Sequence, residues 1–157
     1  MFRSPPMPQS AAEFFSKFAR LEHALKALER YRRTRDALVE PDWDSLAREP
    51  HIGALFTELR LDPAAQYLIE SPPRERVLRA GILEWSDQPS ACQNMSDVCL
   101  MLRRTRNNLF QGDKESVGSE RDERLLLAGL VVMDALIEAD AEIQVSYLPV
   151  NPIVRRS

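Results

Sequence analysis

The residues best suited to chemistry lie in one short stretch, LRRTRNNLFQGDK, where Arg103, Arg104 and Arg106 precede Asn107, Gln111, Gly112 and Lys114. Arginine forks match the oxygens of a phosphate, and an asparagine amide adds donors and an acceptor, so these residue types suit an anionic, phosphate-bearing ligand. A second basic run lies upstream: from Lys17 to Arg35 there are seven basic residues against two acids, Glu22 and Glu29. Within its Arg30–Arg35 part Tyr31 is the only aromatic, so that run reads as a solvated face or rim and not as a dedicated RNA track. The overall charge of −3 supplies no global attraction for nucleic acid, which leaves any phosphate affinity to local clusters.

Other chemistries find little support in the 157 residues. The two histidines, His23 and His51, are neither paired at metal-ligand spacing nor accompanied by clustered carboxylates, so no metal ligands and no cofactor are expected. His23, beside Glu22, is the one candidate for a replacement base, and a structural role is the simpler account of it. His51 follows a proline in a turn. Glycine-rich phosphate loops and GxSxG elbows are absent. Cys92 and Cys99, read as lying on one helix about 10 Å apart, are too distant for a disulfide and imply reduced thiols. Trp43 and Trp85 read as core or interface anchors.

These residues need elements to position them, and the apolar periodicity is helical wherever it is readable. After a proline-rich arm over residues 1–9, Ser10 caps a first helix whose stripe is Phe14, Phe18, Leu21, Leu25 and Leu28, and which runs to about Leu38 before Pro41. Asp42 caps a second helix that Pro50 kinks or splits. A third spans Asp62 to about Glu70, and SPPRERVLRAG is a turn feeding another short helical piece. A helix from Ser90 or Ser96 to Phe110, closed by Gly112, carries the arginine stretch. The last helix, from Ser119 to Ile143, is apolar over most of its circumference and is therefore either central in the bundle or shared with a second subunit. The expectation is an all-α bundle of about five to six helices over residues 10–147, with an irregular tail over 148–157 and no strand pair of consequence. No stretch approaches the ~20 apolar residues of a membrane span, so a cytoplasmic protein without membrane contact is expected.

The arginine stretch, at a helix end and followed by a charged loop and a long apolar helix, resembles the signature region of the HEPN superfamily. FFSKFARLEHALKAL followed by PDWDSLA is similar to the first two helices of its Apea-like members. The family signature is RxxxxH with a polar residue after the arginine: Arg106 and Asn107 match it, Gln111 stands at the histidine position, and Gly112 and Lys114 again resemble the family's sequence. The resemblance implies a dimeric protein of bacterial defence or toxin type that binds RNA or nucleotides through Arg103, Arg106, Asn107 and Lys114. Active members are metal-independent endoribonucleases, in which Arg106 would supply the cation and Gln111 would stand where the general base belongs. A carboxamide has no lone pair basic enough for that task, so hydrolysis is expected to be weak or lost. A partner-docking module without catalysis is the alternative. An active ribonuclease using His23 ranks last.

Overall fold

The computed structural model describes residues 7–110 and 119–148, and helices account for most of them. The elements run α1 (Gln9–Ala27), β1 (Arg32–Arg35), β2 (Leu38–Pro41), α2 (Trp43–Arg48), α3 (Pro50–Gly53), α4 (Leu55–Leu59), α5 (Ala65–Glu70), β3 (Arg76–Arg79), β4 (Ile82–Trp85), α6 (Met95–Phe110), α7 (Glu120–Ala139) and α8 (Ala141–Tyr147). The bundle expected from the sequence is there, with more and shorter helices. Two antiparallel hairpins, β1–β2 and β3–β4, are a correction to the reading that no strand pair would be found.

The stripe on α1 is buried as its spacing requires, with Phe14, Phe18, Leu21 and Leu25 in the core. The helix stops at Ala27, well before its expected end near Leu38. Leu28 leaves helical geometry, a 3-10 turn at Glu29–Tyr31 buries Tyr31 completely, and the chain enters the first hairpin. Asp42 does cap α2, its carboxylate accepting from the Ser45 N–H (3.0 Å) and hydroxyl (2.7 Å), and Pro50 takes the first position of α3 after splitting the segment. Those hydrogen bonds from Ser45 hold the Asp42 carboxyl below its ordinary range.

α7 is the central helix, packed against α1, α5, α6 and α8, so much of its apolar surface lies in the core while Leu127 is exposed. It passes so close to α1 and α6 that a Cβ on Gly129 would meet the Phe14 ring at 2.4 Å and Leu102 at 3.2 Å, so only glycine fits there. Ser119 caps it, accepting from the Asp122 N–H at 3.1 Å. The continuous helix expected to Ile143 is instead broken at Asp140, whose φ of −130° ends α7 and whose carboxylate starts α8.

Asp140 is a hub. Its buried carboxylate accepts hydrogen bonds from the Tyr31 hydroxyl (2.6 Å), His51 Nε2 (2.9 Å) and the backbone N–H groups of Glu142 (3.0 Å) and Ile143 (3.1 Å). Burial alone would raise its pKa, but the hydrogen bonds from Tyr31, His51 and Ile143 outweigh burial and hold the carboxyl below its ordinary range. Burial, with Asp140 alongside, pushes the Tyr31 phenol up. Cys92 precedes α6 and does not share it with Cys99, a second correction; both thiols are free and buried, and burial pushes each up to about 12.

Candidate functional site

α6 carries the arginine stretch, and its 100° step per residue puts Leu100, Arg103, Arg104 and Asn107 along one side. That side and the start of the second hairpin form a shallow cleft of about 240 Å³, completed by Glu75, Arg76 and Asn108. The hairpin is held in place by side chains of α6: Asn108 Nδ2 donates to the Arg74 carbonyl (2.7 Å) and Arg104 to the Pro73 carbonyl (3.4 Å). Arg104 also pairs with Glu75 at 3.4 Å, so part of its charge is neutralised within the cleft.

Arg103 differs from its neighbour. Its Nε is buried and takes no hydrogen bond among the described residues, and no carboxylate there pairs with its guanidinium. A buried donor without a partner costs about 1–3 kcal/mol, which makes this arginine a candidate to be completed by an incoming acceptor. The Cys99 thiol senses the same charge, which opposes the rise that burial imposes on it.

The motif arginine, Arg106, is placed elsewhere. Its guanidinium lies over the Phe18 ring of α1, 5.8 Å from the centroid, and Nη1 donates to Asn107 Oδ1 at 3.1 Å. Arg103 and Asn107 therefore share the cleft, and Arg106 is joined to it through the Asn107 amide. Gln111, Gly112 and Lys114 lie outside the described residues. His23 is exposed on α1, and neither it nor His51 lines the cleft. Among the described residues no group of histidines, cysteines and carboxylates is disposed to hold a metal, and no helix is long and apolar enough to cross a membrane.

The hairpin's contribution was not foreseen. Arg76, read as part of a helical piece, lies on β3 with its guanidinium 4.6 Å from the centroid of the Trp85 ring on β4, directly across the ladder. The signal for it was the Ala80-Gly81 pair, both at positive φ (50° and 78°), which makes the tight two-residue turn that joins twisted strands. Of the two tryptophans, Trp43 is the core anchor, stacked on Phe18 at 5.6 Å and donating to Glu22 at 3.2 Å. Trp85 is half-buried beside the cleft.

The chain matches no family model, no curated protein and no solved structure in the comparisons made with them.

Proposed function

We propose that this protein is a HEPN-like RNA- or nucleotide-binding protein whose phosphate contacts are made at the C-terminal half of α6, with hydrolysis weak or absent. The observation that carries the reading is the cleft lined by Arg103, Arg104 and Asn107, in which no carboxylate among the described residues pairs with Arg103. Arg103 and Arg104 bring guanidiniums to this cleft, and their fork geometry suits phosphate oxygens. Loss of chemistry follows from what is missing: the cleft holds no imidazole, Glu75 is engaged by Arg104, and Gln111 offers no base.

The test is binding of a fluorescein-labelled single-stranded RNA followed by anisotropy. Arg103→Ala should weaken it on the order of tenfold, the worth of one charge-assisted hydrogen bond, and Asn107→Ala should weaken it less. Unchanged affinity in both variants overturns the reading. Gln111→His should add metal-independent cleavage, since a restored base is worth on the order of 10²- to 10⁴-fold, and the gain should vanish with Arg106→Ala added.

A protein-docking role is favoured by a separate observation: both hairpins expose aliphatic side chains, Leu38 and Val39 on the first and Leu78, Ile82 and Leu83 on the second. A homodimer of this chain would use such a surface or the α7 face that exposes Leu127. Light scattering at tens of micromolar decides whether it forms.

A further inference from the structure

The two hairpins share one plan. Each pairs two four-residue strands in the same register around a two-residue turn, Arg32–Arg35 with Leu38–Pro41 and Arg76–Arg79 with Ile82–Trp85. Arginine opens and closes the first strand of each, and two aliphatics and a glutamate follow the turn: Leu38, Val39 and Glu40 in one, Ile82, Leu83 and Glu84 in the other. A two-stranded sheet has an edge on either side, a row of backbone donors and acceptors that templates pairing with another strand unless it is covered, charged or blocked by proline. The two hairpins differ in how these edges are finished.

On the first hairpin both edges are closed. The Asp42 N–H donates to the Tyr31 carbonyl at 2.8 Å, which makes Arg33–Glu40 and Arg35–Leu38 the bonded pairs and turns the backbone groups of Arg32, Thr34, Val39 and Pro41 outward. Pro41 has no N–H for a further strand. A second β1 paired about Thr34 would set Arg33 against Arg35, like charges face to face. The second hairpin is closed on one side alone. Its Ser86 N–H donates to the Glu75 carbonyl at 2.7 Å, so Val77–Glu84 and Arg79–Ile82 are the bonded pairs, and Leu78 and Leu83 direct their N–H and carbonyl groups outward. On the β3 side α6 lies alongside, Asn108 donating to the Arg74 carbonyl at 2.7 Å. On the β4 side, Leu83 is 52% exposed, its cross-strand neighbour Leu78 is 71% exposed, and nothing among the described residues outside the hairpin hydrogen-bonds the Leu83 backbone.

This open edge is complementary to itself. Antiparallel pairing of β4 with a second copy about Leu83 sets the two Leu83 residues against each other on a two-fold axis perpendicular to the sheet. Leu78, Leu83 and their two counterparts then form one continuous row on one face, burying side chains that are exposed in the single chain. On the opposite face Glu84, which pairs with its own Arg79 at 4.0 Å, falls in the same row as Arg79 of the second copy, with that copy's Ile82 between them. Other registers that keep backbone bonding differ by two residues. In one direction the slip sets Glu84 directly opposite Glu84, a repulsive contact; in the other it pushes Leu83 onto the turn at Gly81 and loses the leucine row. Apolar matching and charge therefore select the same register, the one centred on Leu83.

We infer that two copies of this chain pair through the outer edge of β4, centred on Leu83, to make a four-stranded antiparallel sheet; this rests on the homodimer reading above and names its contact. A contact of two short strands belongs with weak, transient interfaces, so sedimentation velocity is run from about 5 to about 500 µM, a span that brackets micromolar association. The native protein should pass from monomer to dimer over that span. Leu83→Arg, which sets like charges on the axis, should leave a monomer with an unchanged helical circular-dichroism spectrum. Val39→Arg on the first hairpin and Leu127→Arg on α7 should leave association native. Leu83→Cys should form a disulfide-linked dimer under mild oxidation, because residues in a bonded antiparallel pair have Cα atoms about 5.5 Å apart, within disulfide reach. Ile82→Cys, displaced along the strand from its counterpart, should not. A dimer that survives Leu83→Arg overturns the edge pairing and leaves the homodimer reading standing on another surface. A native protein that stays monomeric at every concentration overturns both.

Discussion

The Asp140 hub and the Arg103 cleft are both built from buried or half-buried charged groups, yet they are finished in opposite ways. At Asp140 one carboxylate is met by four donors from three separate parts of the chain, so the polar group is fully satisfied by the protein itself. At Arg103 a buried donor has no partner among the described residues, while the neighbouring arginine is half neutralised by Glu75. A satisfied buried network specifies the fold. An unsatisfied one adds nothing to the fold and leaves a cost of about 1–3 kcal/mol uncompensated by the protein itself.

The largest effect should come from breaking the hub. Asp140→Ala removes the cap of α8, worth ~1 kcal/mol, and leaves the Tyr31 hydroxyl buried without an acceptor, at about 1–3 kcal/mol. Urea unfolding should therefore show a loss of about 2–4 kcal/mol by these two terms, while RNA affinity, measured where the variant is folded, stays native. A loss confined to a few tenths would mean that water replaces the carboxylate and that the two sites are less different than described.

A smaller effect concerns pH. The Asp140 carboxyl is held below its unfolded value, so its contribution is fully present above the ordinary aspartate range, near pH 4, and is lost as pH falls through the lower folded value. Asp42 titrates in the same direction and adds to the same limb. Asp140→Asn should flatten the fall in urea midpoint below about pH 4; an acid limb identical to the native one would place the linkage at other carboxylates.

Smallest in stability, and sharpest for the comparison, is Arg103→Met. It keeps an apolar stem and deletes an unpaired donor, so the unfolding free energy should change by less than ~0.5 kcal/mol or rise, although phosphate binding weakens on the order of tenfold. A destabilisation on the scale of the hub variant would show that Arg103 is a structural group.

Much of the helical frame was legible because its causes are local. The stripe from Phe14 to Leu25, the cap at Asp42 and the split at Pro50 each depend on residues within one or two turns, whereas the cap expected at Ser10 is not formed, because α1 begins at Gln9. The hairpins were missed because their turns lack the Asn-Gly or Asp-Gly signal: Asp36-Ala37 and Ala80-Gly81 occupy the same positive-φ positions, with two alanines in a conformation that disfavours a Cβ. The break at Asp140 was hidden for another reason. Its partners Tyr31 and His51 are 109 and 89 residues away, and no window on the sequence contains them together. At the site, the motif drew attention to Arg106, but the pitch of α6 gives the cleft to Arg103 and Asn107 and turns Arg106 toward Phe18.

The length of the Tyr31–Asp140 link also sets an order of events. α8 has seven residues, too few to persist by itself in water. Its anchor Tyr31 lies 109 residues back, so the loop that must close before α8 is fastened takes in about two thirds of the chain. Docking of α8 is then a late step in folding and the first to reverse: its amides should exchange with deuterium through a local opening well below the global unfolding free energy, while those of α1 and the centre of α7 wait for the whole bundle to come apart.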